Sequence, residues 1–119
     1  MRRADRIGES SNSLAARYIE EGLRMDDHPL IRFRDGAAGR RAALAGTRLD
    51  VWQVVETLRN SESSLERTAE YLSVPPAWVQ ASVRYYAAYR DEVDNLAERE
   101  RAAAEHEEEL WRAQQAVLS

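Results

Sequence analysis

The only strong cations in this chain are arginines. All 17 Lys-plus-Arg residues are Arg, so every fixed positive charge is a planar fork suited to carboxylate or phosphate. Five of them, Arg32, Arg34, Arg40, Arg41 and Arg48, fall within residues 32–48 beside a single acid, a local net charge of +4. Such a cluster can dock on a phosphate backbone. It can equally pair with Asp35, Asp50 and Glu56, and the residue types leave both open. Gln80 and Arg84 lie one helical turn apart, where glutamine favours an adenine edge and arginine a guanine edge. Residues 32–48 would then supply phosphate affinity and residues 80–84 a sparse base reader.

A second set lies near the C-terminus. Residues 91–119 carry nine acids against Arg99, Arg101 and Arg112, a net charge of −6. Leu110, Trp111, Val117 and Leu118 give that acidic stretch an apolar end, and tryptophan beside leucine suits an interface anchor. The segment reads either as a solvated helix with intrahelical pairs such as Glu98–Arg101 and Glu108–Arg112 or as a helix that grips a partner. Self-dimerisation through it is also open.

Catalytic constellations do not emerge. His28 precedes a proline and His106 stands in an acidic helix, neither with a partner at acid–base or metal spacing. Gly36-x-x-Gly39 lacks the lysine and the strand–helix setting of a phosphate-binding loop. Without cysteine there is no thiolate metal site and no disulfide. No enzymatic activity, cofactor or metal is expected. The N-terminus lacks the apolar run of a signal peptide, and no stretch approaches the roughly 20 apolar residues that span a bilayer. A cytoplasmic protein without membrane contact is expected.

The elements that must carry these residues follow from periodicity. A short helical piece at residues 2–6 is followed, across Ile7-Gly8-Glu9-Ser10, by a helix over 13–25 with Leu14, Tyr18, Leu23 and Met25 near one face. Pro29 ends it. Ile31-Arg-Phe-Arg34 alternates with period two, Asp35-Gly36 signals a turn, and Arg40-Arg-Ala-Ala-Leu44 returns, which predicts a hairpin over about 30–48. Gly46 permits a tight reversal, Thr47 can bond local backbone, and Arg48 reads as an anchor between hairpin and bundle. Asp50 with Gln53, and Ser63 with Glu66, form capping-box patterns for two helices. Their apolar faces are Val51, Val54, Val55 and Leu58, then Leu65, Ala69 and Leu72. Pro75-Pro76 opens a third, lined by Val79, Val83 and Tyr86. From residue 77 to 118 no glycine or proline interrupts, so one helix is expected to run on to the end. Its seam of Leu96, Ala103, Leu110 and Val117 is too thin for a solitary coiled coil.

Ala69-Glu-Tyr-Leu72-Ser73-Val74-Pro-Pro-Ala-Trp-Val79 has helix-turn-helix spacing. The small Ala69 allows a close crossing, Ser73 occupies the turn position where glycine is usual, and Val74 and Val79 fill the wedge. With Gly46-Thr47-Arg48-Leu49-x-Val51, Ser63-x-x-Glu66-x-x-Ala69 and the two-helix unit through Tyr85-Tyr86, the chain over about 30–94 resembles domain-of-unknown-function family 433. The chain differs from the family pattern at Asn60-Ser61-Glu62, where a glycine is usual, and at Gly39-Arg40-Arg41, where a proline is usual. Arg2–Gly8 and Ser10–Met25 are more distantly similar to the two helices of ribbon-helix-helix proteins. The strand that precedes those helices has no counterpart here, so reading DNA with a β-ribbon is not carried over.

The first resemblance implies a VapB-type antitoxin with a trihelical DNA-binding fold, partnered with a PIN-like ribonuclease toxin. The toxin would hold Mg²⁺ with clustered carboxylates, and Arg99, Arg101 or Arg112 would enter that cluster and displace the metal. The expectation is a mainly α protein: a small trihelical helix-turn-helix bundle preceded by a β-hairpin, with a long C-terminal helix. Three parts are expected: an N-terminal helical segment (1–27), the hairpin and trihelical domain (28–90), and an acidic partner-binding helix (91–119). DNA contacts fall on Arg32, Arg34, Arg40, Arg41, Arg48, Gln80 and Arg84. Toxin contacts fall on Arg99, Arg101, Leu110, Trp111 and Arg112. The partners implied are the toxin, operator DNA and a second copy, as a homodimer or a larger toxin–antitoxin hetero-oligomer. The alternative is a protein-interaction module that dimerises or binds the toxin without DNA.

Overall fold

A computed structural model describes residues 2–119, with side chains from Ser11 onward. The order is α1 (Arg2–Asp27), β1 (Ile31–Arg34), β2 (Arg41–Leu44), α2 (Val51–Asn60), α3 (Leu65–Leu72), α4 (Pro76–Ala88) and α5 (Arg90–Leu118). The fold is mainly helical, as expected, with a two-stranded hairpin ahead of the trihelical bundle and a long C-terminal helix. One boundary differs at the N-terminus. Residues 2–27 form a single helix that runs through Gly8, not two pieces. One mid-helix glycine costs only about 1 kcal/mol, too little to interrupt six or more turns.

The strands pair antiparallel with Ile31 opposite Leu44, Phe33 opposite Ala42 and Arg34 opposite Arg41. Period-two alternation puts Ile31, Ala42 and Leu44 in the core and leaves Arg32 outside. Beyond β2, Gly46 takes φ +73°. Thr47 Oγ1 donates to the Leu44 carbonyl at 2.9 Å and accepts from Leu49 N at 3.0 Å, closing the turn into α2. Gln53 Oε1 accepts from Asp50 N at 2.9 Å, one arm of the expected capping box.

The bundle core is Val51, Val54, Val55, Ala69, Val79, Tyr85 and Tyr86 against Ile31 and Leu44, with Leu58, Leu65, Leu72 and Val74 packed around it. Thr68 and Ser82 are fully buried but turn their hydroxyls onto the Ser64 and Trp78 carbonyls. Their small size lets α3 and α4 cross closely. The α3–α4 turn has helix-turn-helix form. Ser73 is left-handed (φ 58°, ψ 46°) and Val74 N bonds back to Ala69 O at 3.0 Å.

Two expected details shift. Ser64, not Ser63, caps α3 by accepting from Arg67 N, because Glu62 and Ser63 both take positive φ in the preceding turn. The final helix is broken at Tyr89 (φ −131°, ψ 45°) without glycine or proline. The break follows from packing: the Tyr89 ring lies 4.7 Å from that of Tyr85, and the Arg24 guanidinium sits 3.9 Å from its centroid.

α1 and α5 leave the core as arms. Every residue from 101 to 119 is exposed. The radius of gyration is 17.6 Å and the extents are 52 × 51 × 24 Å. A compact chain of this length would have a radius of about 13.5 Å. No described helix is long and apolar enough to cross a membrane.

Candidate functional site

The hairpin arginines meet carboxylates of their own chain. Arg34 donates to Asp50 Oδ1 at 2.5 Å and to the Arg48 carbonyl at 2.9 Å. Arg41 donates to Asp50 Oδ2 at 3.0 Å, and its Nη2 forms an ion pair with Glu100 Oε1 at 2.6 Å. Trp52 Nε1 adds a third donor to Asp50, whose side chain is only 4% exposed. Arg40 grips Glu21 with two parallel bonds, Nε to Oε2 at 2.9 Å and Nη2 to Oε1 at 2.8 Å, and reaches Asp35 at 3.3 Å. Those bonds to Glu21 hold the Arg40 guanidinium above the ordinary arginine pKa. Burial works against the charge on Arg41, but its bonds to Glu100 and Asp50 outweigh that. The pairing alternative read from the sequence is therefore realised through Asp35 and Asp50, together with Glu21 and Glu100. Arg34, Arg40 and Arg41 tie the hairpin to α1, α2 and α5.

The remaining hairpin cations are placed differently. Arg32 folds onto the Pro29 and Ile31 carbonyls at 2.9 and 2.8 Å. Arg48 is exposed and contributes its backbone carbonyl to Arg34. The anchor expected at Arg48 is supplied instead by Arg34 and Arg41 on Asp50, because the tight turn at Gly46 carries the Arg48 side chain outward.

Gln80 and Arg84 are exposed one turn apart on α4. With Ala77 and Ala81 they form one wall of an open groove of about 340 Å³, and Asp27, His28, Pro29 and Leu30 form the other. The face that would read bases is thus flanked by the α1–β1 turn, which brings an acid, Asp27, beside it.

The tail residues divide between base and tip. Arg99 Nε donates to the Ala38 carbonyl at the hairpin tip at 3.0 Å, and Arg101 pairs with Glu56 at 2.5 Å. These two hold the foot of α5 to the core. The Glu98–Arg101 pair expected from spacing gives way to Arg101–Glu56, because the α2 face passes closer. Further out, Arg112 pairs with Glu108 as expected. Leu110 and Trp111 are 51% and 59% exposed, and Val117 and Leu118 still more. The structure thus separates the five tail residues: two at the root, three on the free tip.

A third cluster is not evident in the sequence. Arg24, on α1, donates to Tyr85 Oη at 2.8 Å and to Glu92 Oε1 at 2.9 Å, while Tyr85 Oη donates to Glu92 Oε2 at 2.9 Å. Burial, reinforced by the Glu92 charge, pushes the Tyr85 hydroxyl above its ordinary pKa. One signal pointed toward such clusters. Glu21 stands at an apolar-stripe position among Leu14, Tyr18 and Met25, where an acid must find a buried partner.

Chemically these are closed arginine–carboxylate clamps. Among the described residues no group of three or more His, Asp or Glu could hold a metal ion. His28 packs edge-on against Tyr85 at 5.2 Å, and His106 lies on the exposed arm. Comparison with known proteins finds no matching family, no curated relative and no solved structure that resembles this chain.

Proposed function

We propose that this chain is an antitoxin-type protein-interaction module of the cytoplasm that seizes a ribonuclease partner with the outer part of α5. One observation carries the reading: a helix clamped at its foot by Arg41–Glu100, Arg101–Glu56 and Arg99 leaves residues 102–119 exposed. That arm presents Leu110, Trp111, Val117 and Leu118 with no place in the core. A clamped root with a free apolar tip presents an amphipathic helix to a groove, and its aromatic–leucine pair supplies the anchor. Arg112, beside the anchor, is the tail arginine best placed to reach a carboxylate cluster on the partner. Arg99 and Arg101 serve the clamp.

The test is neutralisation of a co-encoded ribonuclease in growing cells. The full chain restores growth, whereas the chain ending at residue 100 and the Leu110→Asp/Trp111→Asp variant do not. Equal rescue by the truncated chain would refute the reading.

A second reading, operator binding, is favoured by the helix-turn-helix geometry at Ser73 and the exposed Gln80–Arg84 pair. With Arg34, Arg40 and Arg41 neutralised internally, phosphate contacts are few and the salt dependence shallow. A gel shift on the chain's own promoter at low salt tests it. Binding abolished in Gln80→Ala/Arg84→Ala supports DNA recognition by α4, and absence of binding excludes it.

A further inference from the structure

We infer that the outer face of α1 is a homodimer interface, on which α1 of a second copy packs antiparallel about a two-fold axis near Ile19. The inference is independent of the role given to α5. At 100° per residue, Asn12, Ala15, Ala16, Ile19, Gly22 and Leu23 share one side of the helix. The opposite side carries Leu14, Arg17, Glu21 and Arg24, each partly or fully buried. Ile19 and Leu23 are 68% and 62% exposed, and no formal charge interrupts the outer face between residues 12 and 23.

Gly22 is unexplained by the monomer. It lies inside a regular helix, where glycine is unfavourable relative to alanine. A Cβ built there meets nothing within 4 Å among the described residues. The absence of a side chain therefore serves no contact within one copy, but it lets another backbone come close.

The face is complementary to itself. In an antiparallel pair centred on Ile19, Leu23 of each copy lies over Ala15 of the other, and Gly22 lies over Ala16. Each large side chain thus meets a small one, and Ile19 meets Ile19 across the axis. Asp26, at the end of the face, falls opposite Asn12, whose amide can donate to its carboxylate. Charge also selects the occupant. Glu20, Asp26 and Asp27 border the face, so the acidic outer half of α5 would meet like charge there. A second α1 brings the same three acids, but it sets Asn12, not an acid, opposite each Asp26. Glu20, nearest the axis, shares the Arg24 guanidinium with Glu92, at 3.1 Å from its own carboxylate. Four turns of two-helix contact bury on the order of 1,000 Å², the low end for a specific interface, so the dimer is concentration-dependent.

Sedimentation equilibrium of the full chain tests this. The chain is expected to dimerise reversibly in the micromolar range. Gly22→Leu should raise the unfolding midpoint of the monomer, because the site is open and leucine favours helix, while weakening the dimer about a hundredfold. Ile19→Asp/Leu23→Asp should be monomeric with unchanged helix content. The chain has no cysteine, so mild oxidation of Ile19→Cys should yield a disulfide-linked dimer. Ala15→Cys alone should cross-link poorly, but should do so when mixed with Leu23→Cys. A chain that stays monomeric to millimolar concentration, a dimer that persists in Gly22→Leu and Ile19→Asp/Leu23→Asp, or cross-linking by Ala15→Cys as ready as by Ile19→Cys, would each overturn the inference.

Discussion

Arg41 on the hairpin and Glu100 on α5 meet at 2.6 Å, and through this pair the C-terminal arm is fixed to a buried carboxylate, Asp50, that the same arginine also holds. Arg41 is 9% and Asp50 4% exposed, so neither charge is well solvated. Removing one member of such a pair leaves the other uncompensated. Arg41→Met is expected to cost about 3 kcal/mol, toward the lower end for a buried pair because Arg34 remains on Asp50. Glu100→Gln keeps Asp50 satisfied and should cost under about 1 kcal/mol. Urea unfolding midpoints separate the two. A loss for Glu100→Gln as large as for Arg41→Met would place the stabilising contact on the arm rather than on Asp50.

The guanidinium of Arg41 passes so close to Gly36 that a Cβ there would lie 2.4 Å from it. Gly36→Ala must push the guanidinium aside, and with it the bonds to Asp50 and Glu100. The expected loss is about 1–2 kcal/mol, falling near zero in an Arg41→Met background, because residues that act through one contact are not additive. A double-mutant cycle measures this. Equal losses in both backgrounds would mean that Gly36 matters for its backbone conformation alone.

The sequence made the skeleton legible because its signals are local. Alternation at Ile31–Arg34, proline at Pro29 and Pro76, and the small residue Ala69 each act through neighbours a few positions away. Asp35 and Asp50, near their arginines in the chain, were candidates from the start, but the pairs that join separate elements were not legible, because their members are 19 to 68 positions apart, as in Arg40–Glu21 and Arg24–Glu92. A cluster of arginines looks the same in sequence whether it faces phosphate or internal carboxylate. The break at Tyr89 was hidden for a similar reason: it is imposed by Tyr85 and by Arg24 on a distant helix, not by a helix-breaking residue. The exposed tip with Trp111 was legible, since an acidic arm in so small a protein has no core to join.

Ser73 occupies the left-handed position that ends α3, where glycine carries no Cβ penalty. For other residues this conformation costs roughly 1–2 kcal/mol, partly offset by the greater freedom glycine has when unfolded. Ser73→Gly is therefore expected to stabilise the chain by about 0.5–1 kcal/mol, read from the urea midpoint. The serine side chain is exposed, and among the described residues it has no hydrogen-bond partner to forfeit. A destabilised variant would show that the turn is held by something other than backbone conformation.

The Tyr85 hydroxyl, fully inside the fold and shared between Arg24 and Glu92, predicts how stability responds to alkali. Burial, then the nearby Glu92 charge, raises its pKa above the ordinary value of 10.0. Below that value both folded and unfolded chains keep the proton, so this group adds no slope. Above it the unfolded chain gives up its proton first and binds fewer protons than the folded one, so stability falls with rising pH. The loss continues until the folded group also ionises. Unfolding midpoints at pH 8 and pH 11 should therefore diverge in the wild type and diverge less in Tyr85→Phe, which retains the ring against Tyr89 and His28. Tyr85→Phe should also be less stable than wild type at pH 8, since Arg24 and Glu92 each lose a partner. An equal alkaline loss in both chains would assign the effect to another tyrosine, and the Arg24–Tyr85–Glu92 cluster would then be no more than a geometric joint between α1, α4 and α5.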